Sequence, residues 1–336
     1  MRTIHLAPLA AAVLAAALVA GAAHGSRTGD AAPMHPLGAP VVVASGIQFP
    51  TSAAFDAHGR LWITSGIIGQ TPSEGIWYVP RAGRPRLVTG GFAGISLLWD
   101  GNRLYVSGST KPGVGEITVF SGFDGNRFAS RHVRLGGIRV GTHTIGSLAR
   151  GPDGRFYLGY GAENDQVGHA GGVLSFLPAG GAATKEATGL RTAYGLAFWG
   201  SRLLVSVSGP DKLHEPPDEL QSFQPSGPLV DFGYPRCFGQ GGAACMSAPP
   251  PLAKLAPHAT PTQLVVKGDV AYVGEFGSAV AQTPKSQIVR IDLRTGHVSV
   301  FWRSPVQHDV IGLALGPDGN LYATLFSSGK VVRFDL

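Results

Sequence analysis

The last 26 residues, IGLALGPDGNLYATLFSSGKVVRFDL (311–336), decide the fold. An apolar run leads into Pro317-Asp318-Gly319. A second run, headed by Leu321-Tyr322, leaves that turn. After a Ser-Ser-Gly turn a third run, KVVRFDL (330–336), ends the chain. Tight hairpins need a residue at positive φ, which glycine supplies without steric cost. Runs this short are strands, not helices.

The same phrase occurs five more times. The copies are SAAFDAHGRLWITSG (52–66), ISLLWDGNRLYVSG (95–108), GSLARGPDGRFYLGYG (146–161), YGLAFWGSRLLVSVSG (194–209) and TQLVVKGDVAYVGEFG (262–277). Their turn glycines are Gly59, Gly101, Gly154, Gly200 and Gly268, with Gly319 in the last copy. A third strand follows most copies: GIWYVP (75–80), GEITVFS (115–121), GGVLSFLP (171–178) and SQIVRIDL (286–293), with a weaker DELQSFQ (218–224) in the fourth. Stretches such as RPRLVTG, RFASRHVRL and HVSVFWR supply a fourth. Four strands at a period of roughly 40–50 residues describe a β-propeller blade. The chain is therefore expected to be all-β, a six-bladed β-propeller. The last copy lacks its fourth strand, and an orphan strand, APVVVASGI (39–47), precedes the first. That strand is expected to pair with residues 330–335 and close the ring, removing an exposed edge. An open sandwich is the competing architecture.

Composition agrees. Glycine accounts for 49 of 336 residues, about twice its usual share, and charged residues for 14% against the usual ~25%. With 44% apolar residues the chain is not disordered, and a Gly-rich chain is not a coiled coil or long helical bundle. The formal charge of +6 is spread without basic runs, so no nucleic-acid groove is expected.

Residues 1–25 have a short polar lead, an Ala-rich apolar stretch and small residues after it, the pattern of a secretory signal. Export to a periplasmic or extracellular location follows, with a linker at 26–39, the propeller at 40–336 and a Pro- and Gly-rich insertion at 225–261. No later segment is long and apolar enough to span a membrane. The two cysteines, Cys237 and Cys245, are expected to pair in an oxidising compartment.

In a blade, the lead into the innermost strand and the loop between the second and third strands share one face. On that face His143 leads into blade three; it reads either as a proton acceptor or as a structural histidine bonded to a neighbouring blade. Arg191 leads into blade four, where a guanidinium suits a carboxylate or quinone oxygen or an inter-blade salt bridge. Gly209-Pro210-Asp211 opens a polar loop reaching Asp218-Glu219; carbonyls beside carboxylates suit a hard cation, and they equally form a plain turn. Gln307, His308 and Asp309 lead into blade six. No nucleophile elbow, zinc-protease helix, Walker loop or dinucleotide fingerprint occurs.

These residues carry a resemblance. His143 followed by Pro152-Asp153-Gly154, Arg191-Thr192 before Gly195-Leu196-Ala197-Phe198, Gly209-Pro210 before Asp218-Glu219, Phe232-Gly233-Tyr234-Pro235, and His258-Ala259-Thr260-Pro261 resemble motifs of the soluble glucose/sorbosone (aldose sugar) dehydrogenases. That family comprises exported six-bladed propellers using pyrroloquinoline quinone (PQQ) and Ca²⁺. The resemblance covers roughly residues 40–336. It implies oxidation of a sugar or other alcohol or aldehyde group, with His143 as catalytic base, Arg191, Thr192 and His308 at the quinone, and the Gly209 and Pro210 carbonyls at calcium. The chain departs from the family pattern in four places, the first being Phe92 or a neighbour where a Gln is expected near the blade-two entry. Thr192 stands for Asn, Glu275-Phe276-Gly277-Ser278 lacks a Lys, and Val306-Gln307-His308-Asp309 lacks two Arg. Two other functions fit the fold: a non-catalytic propeller binding glycan or protein partners, and, less well supplied with ligands, a metal-dependent lactonase.

Overall fold

The computed structural model describes residues 35–66, 75–80, 84–211, 216–239, 241–278 and 285–336. The expected signal segment, and the linker up to residue 34, lie outside these residues. Six sheets, antiparallel apart from one short added strand, follow one another along the chain, and each is a blade. The innermost strands are Pro50–Phe55, Ala93–Asp100, Ile145–Arg150, Thr192–Trp199, Pro261–Lys267 and Val310–Leu315. All six turn glycines have positive φ, between 58° and 78°, as the hairpins require. No helix among the described residues is long and apolar enough to cross a membrane.

The ring closes as expected. Val41–Ser45 pairs antiparallel with Lys330–Phe334, setting Val41 opposite Arg333 and Ser45 opposite Lys330. Each blade buries its faces against its neighbours, so the core is a set of apolar clusters between adjacent sheets. One joins blades one and two around Trp62, which is fully buried among Tyr78, Trp99, Phe123 and Phe128. Its indole N–H donates to Asp56 at 2.9 Å, so the polar end is satisfied as well. Another joins blades six and one, where Ala44 and Ile47 from the closing segment pack on Ile63 and Val331.

Near the channel, side-chain hydrogen bonds pin neighbouring blades together. The Thr51 hydroxyl donates to the Gly94 carbonyl at 2.6 Å, Ser107 to Gly146 at 2.8 Å, and Ser206 to Thr262 at 2.6 Å. The Leu196 amide donates to Ser147 Oγ, and the Leu313 amide to Gln263 Oε1. Such close approach needs glycine beside it. A Cβ on Gly195 would strike the Thr262 carbonyl and Ser206 Oγ.

The insertion differs from a free excursion. Its residues Ala253–Pro257 form the outer strand of blade four, and Val230–Asp231 adds a short parallel strand to blade three. Neither signals itself by periodicity, since the first follows a long irregular stretch and the second is two residues long. Cys237 and Cys245 are joined by the expected disulfide, which staples this insertion.

Candidate active site at the channel mouth

The innermost strands enclose an open cavity of about 320 Å³, lined among others by Ser52, Ser96, Ser147, Leu196, Gln263 and Leu313, one residue from each blade. At the face where these strands begin, blades three and four assemble a polar cluster. His143 lies just before the inner strand of blade three. Arg191 immediately precedes that of blade four, which Thr192 begins, and Gly209 follows its second strand. The Arg191 guanidinium donates from Nη1 to the Gly209 carbonyl at 2.5 Å and from Nη2 to Asp211 Oδ2 at 2.9 Å. His143 Nδ1 lies 3.4 Å from the Thr192 hydroxyl.

The hub of the cluster is Asp165, in the loop between the second and third strands of blade three. Its Oδ1 accepts the Tyr234 hydroxyl at 2.5 Å and lies 3.5 Å from Arg191 Nε and 3.8 Å from His143 Nε2. Tyr234 comes from the insertion, so one purpose of that excursion is to bring a phenol to this face. Its hydrogen bond and the Arg191 charge hold the Asp165 carboxyl below its ordinary range. Burial, then the Arg191 charge, lowers the His143 pKa below 6.5, and Asp165 and Asp211 only partly offset this. His143 is therefore a neutral imidazole at pH 7 with a carboxylate nearby. Asp165 and Tyr234 have no motif of their own. The available signals are a loop carrying Glu163, Asn164 and Asp165 after a blade's second strand, and the Tyr-Pro turn at Tyr234-Pro235.

The structure thus brings together His143, Arg191, Thr192 and Gly209 from separate stretches of sequence. It leaves His308 out of the cluster. That ring stacks on Phe276 at 5.3 Å, and its Nε2 lies 3.0 Å from the Ser278 carbonyl, on the side of blades five and six. Gly209 is glycine for a steric reason, because a Cβ would run into the Phe238 ring. Asp218 does not stand free as a metal ligand. Its two oxygens accept the amides of Gly209 (2.8 Å) and Thr260 (2.7 Å), and burial raises its pKa to about 6. Among the described residues no group of three His, Cys, Asp or Glu could hold a metal ion.

At blades five and six the departures in sequence become a different wall. Glu275 is buried, accepts Gln287 Nε2 at 2.6 Å, and burial raises its pKa to about 7, with Asp218 adding to the rise. A carboxyl whose folded pKa exceeds its unfolded value of 4.5 stabilises the fold fully below about pH 4.5. That contribution is lost as pH rises to about 7. It amounts to about 3 kcal/mol, since one pKa unit is ~1.4 kcal/mol. Thermal unfolding of Glu275→Gln, which keeps the acceptor for Gln287, is expected to show a smaller loss of stability between pH 5 and 8 than the parent. The variant is expected to be the more stable protein at pH 8. Equal slopes for the two proteins would show that Glu275 does not titrate in this window.

No family model and no curated protein matches the chain. Solved structures do. The calcium structure of the family AA12 carbohydrate-active enzyme from Trichoderma reesei superposes with a TM-score of 0.72 at 16% identity, over 92% of this chain and 99% of that one. The PQQ-bound aldose sugar dehydrogenase from Streptomyces coelicolor gives 0.71 at 19% identity, over 91% and 99%. The holo PQQ domain of pyranose dehydrogenase from Coprinopsis cinerea gives 0.72 at 15%, over 88% and 95%. The class this defines is the six-bladed propeller fold that sugar-oxidising enzymes use.

Proposed function

We propose that this chain is an exported oxidoreductase that oxidises a sugar or related alcohol with a quinone of the PQQ type. The observation that carries the reading is the convergence of a neutral His143, the Asp165 hub and Arg191 on one face of the channel. The likeness in fold to PQQ-bound sugar dehydrogenases supports it. The donor set fits the oxygen-bearing edge of a quinone. Arg191 is buried, and its Nε makes no hydrogen bond, with only the Asp165 carboxylate at ion-pair distance, 3.5 Å, so the guanidinium keeps donor capacity for a ligand oxygen. Bound there, PQQ would supply the two-electron acceptor. Arg191 and Thr192 would hold it, and Arg191 would favour negative charge on its oxygens.

His143 would take the proton of the substrate hydroxyl. In the tautomer with Nδ1–H donating to the Thr192 hydroxyl, Nε2 would carry the lone pair that takes this proton, and the Asp165 charge 3.8 Å away would stabilise the imidazolium formed. The residues do not fit a calcium ion at Gly209. That carbonyl is engaged by a guanidinium, and a second cation would sit against the charge of Arg191. No step here uses one. Purified protein incubated with PQQ is expected to oxidise at least one member of an aldose panel with a dye as electron acceptor. Absence of both PQQ binding and turnover across the panel would leave ligand binding as the function of this face.

A further inference from the structure

On the same face, the boundary between blades six and one carries a groove that the chemistry above does not use. It is an open cavity of about 530 Å³ along Gly46–Phe49, Trp77 and Phe326–Gly329. Its size falls within the range of small-ligand sites. Phe49 and Phe326 pack ring to ring at 4.9 Å, and the edge of Phe326 is held by Phe276 at 5.5 Å. Both rings, and that of Trp77, are only half-buried.

The wall is rigid. The Trp77 indole donates to Ser65 Oγ at 2.8 Å. The Phe326 amide donates to the Asp309 carbonyl at 2.6 Å, and the buried Asp309 carboxylate accepts the amide and hydroxyl of Ser328. Phe49 sits at φ +49°, a left-handed conformation that a bulky residue rarely adopts. Its carbonyl accepts the Gly66 amide at 3.1 Å, which helps hold it there. Strain of this kind persists where the surroundings impose it and concentrates at ligand clamps.

Among the described residues none that lines this groove is charged, and Gln48 is exposed there. Uncharged aromatic faces beside amide and hydroxyl groups match one small-ligand chemistry well: a neutral pyranose ring, with apolar C–H faces and a rim of hydroxyls. We propose that the groove between blades six and one is a saccharide-binding subsite in which Phe49, Trp77 and Phe326 take the ring face. The site needs neither cofactor nor turnover, so it stands apart from the oxidation proposed above.

The test is titration of the cofactor-free full chain with glucose, cellobiose and glucuronate, read by calorimetry and by tryptophan fluorescence, which Trp77 reports. The neutral sugars are expected to bind in the millimolar range typical of so small a ligand, with cellobiose tighter than glucose. Glucuronate is expected to bind at least tenfold more weakly than glucose. Phe326→Leu and Phe49→Leu, which keep apolar bulk but lose the ring, are expected to weaken cellobiose at least tenfold, with unfolding midpoints confirming that each variant folds. The proposal is overturned by no neutral-sugar binding at 100 mM, by glucuronate binding as tightly as glucose, or by affinities that survive loss of both rings. Loss of PQQ-dependent turnover with these affinities intact would sink the oxidation reading alone.

Discussion

Replacing His143 by alanine is expected to lower the turnover of the sugar oxidation by ~10²–10⁴-fold, the usual contribution of a positioned general base. The imidazole is set between the Thr192 hydroxyl and Asp165, and burial beside Arg191 keeps it neutral at pH 7. Activity in the parent is therefore expected to fall on acidification through a pKa below 6.5, as protonation removes the lone pair. The variant should lack that acid limb. Arg191→Gln, which removes a charge that lowers the His143 pKa, should move the limb to higher pH as well as weaken the quinone edge. Rate profiles of the three proteins from pH 5 to 8 check this. His143 stands at a strand lead and supports little core, so the variant's unfolding midpoint should stay close to the parent's. Full turnover in the alanine variant would remove His143 from the chemistry.

Removal of residues 35–47 is expected to abolish the stable monomer. The closing strand satisfies the edge of Lys330–Phe334 through the pairs from Val41–Arg333 to Ser45–Lys330, and the segment buries Ala44 and Ile47 in the core between blades six and one. The lost burial amounts to about 3 kcal/mol at ~25 cal/mol/Å², and the lost ladder bonds add about 1 kcal/mol each. Together these approach the whole stability of a typical domain, ~5–15 kcal/mol. The truncation also exposes a strand edge to other copies of the chain. Size-exclusion chromatography and thermal unfolding of the truncated protein provide the check. A monomer with the parent's unfolding midpoint would contradict it.

Particular residues show how much was legible in the sequence. Gly59, Gly101, Gly154, Gly200, Gly268 and Gly319 announce their hairpins because only the turn demands positive φ there. The apolar runs around them give the first two strands of every blade. The orphan strand at 41–45 is legible because the last repeat is one strand short. The outer strand of blade four was not, because its pairing with Pro217–Leu220 spans the insertion and carries no repeat phrase. In the site, His143, Arg191 and Gly209 were placed on one face by blade topology. Asp165 as the hub was not, because its nearest partner, Tyr234, lies 69 residues away on a segment with no periodicity.

By itself, then, the sequence determined the fold class, the number of blades, the closure of the ring and the face on which chemistry can occur. These follow from local rules, short period-two runs and glycine turns, repeated until they over-specify the answer. The tertiary structure alone decided how that face is divided. It set His143, Asp165, Tyr234 and Arg191 together on blades three and four, engaged the Gly209 carbonyl with a guanidinium, and left Phe49, Trp77 and Phe326 to wall an aromatic groove at blades six and one. Such contacts join residues far apart in the chain. Their geometry is fixed by the packing of one blade on the next, and no local pattern of residues encodes that.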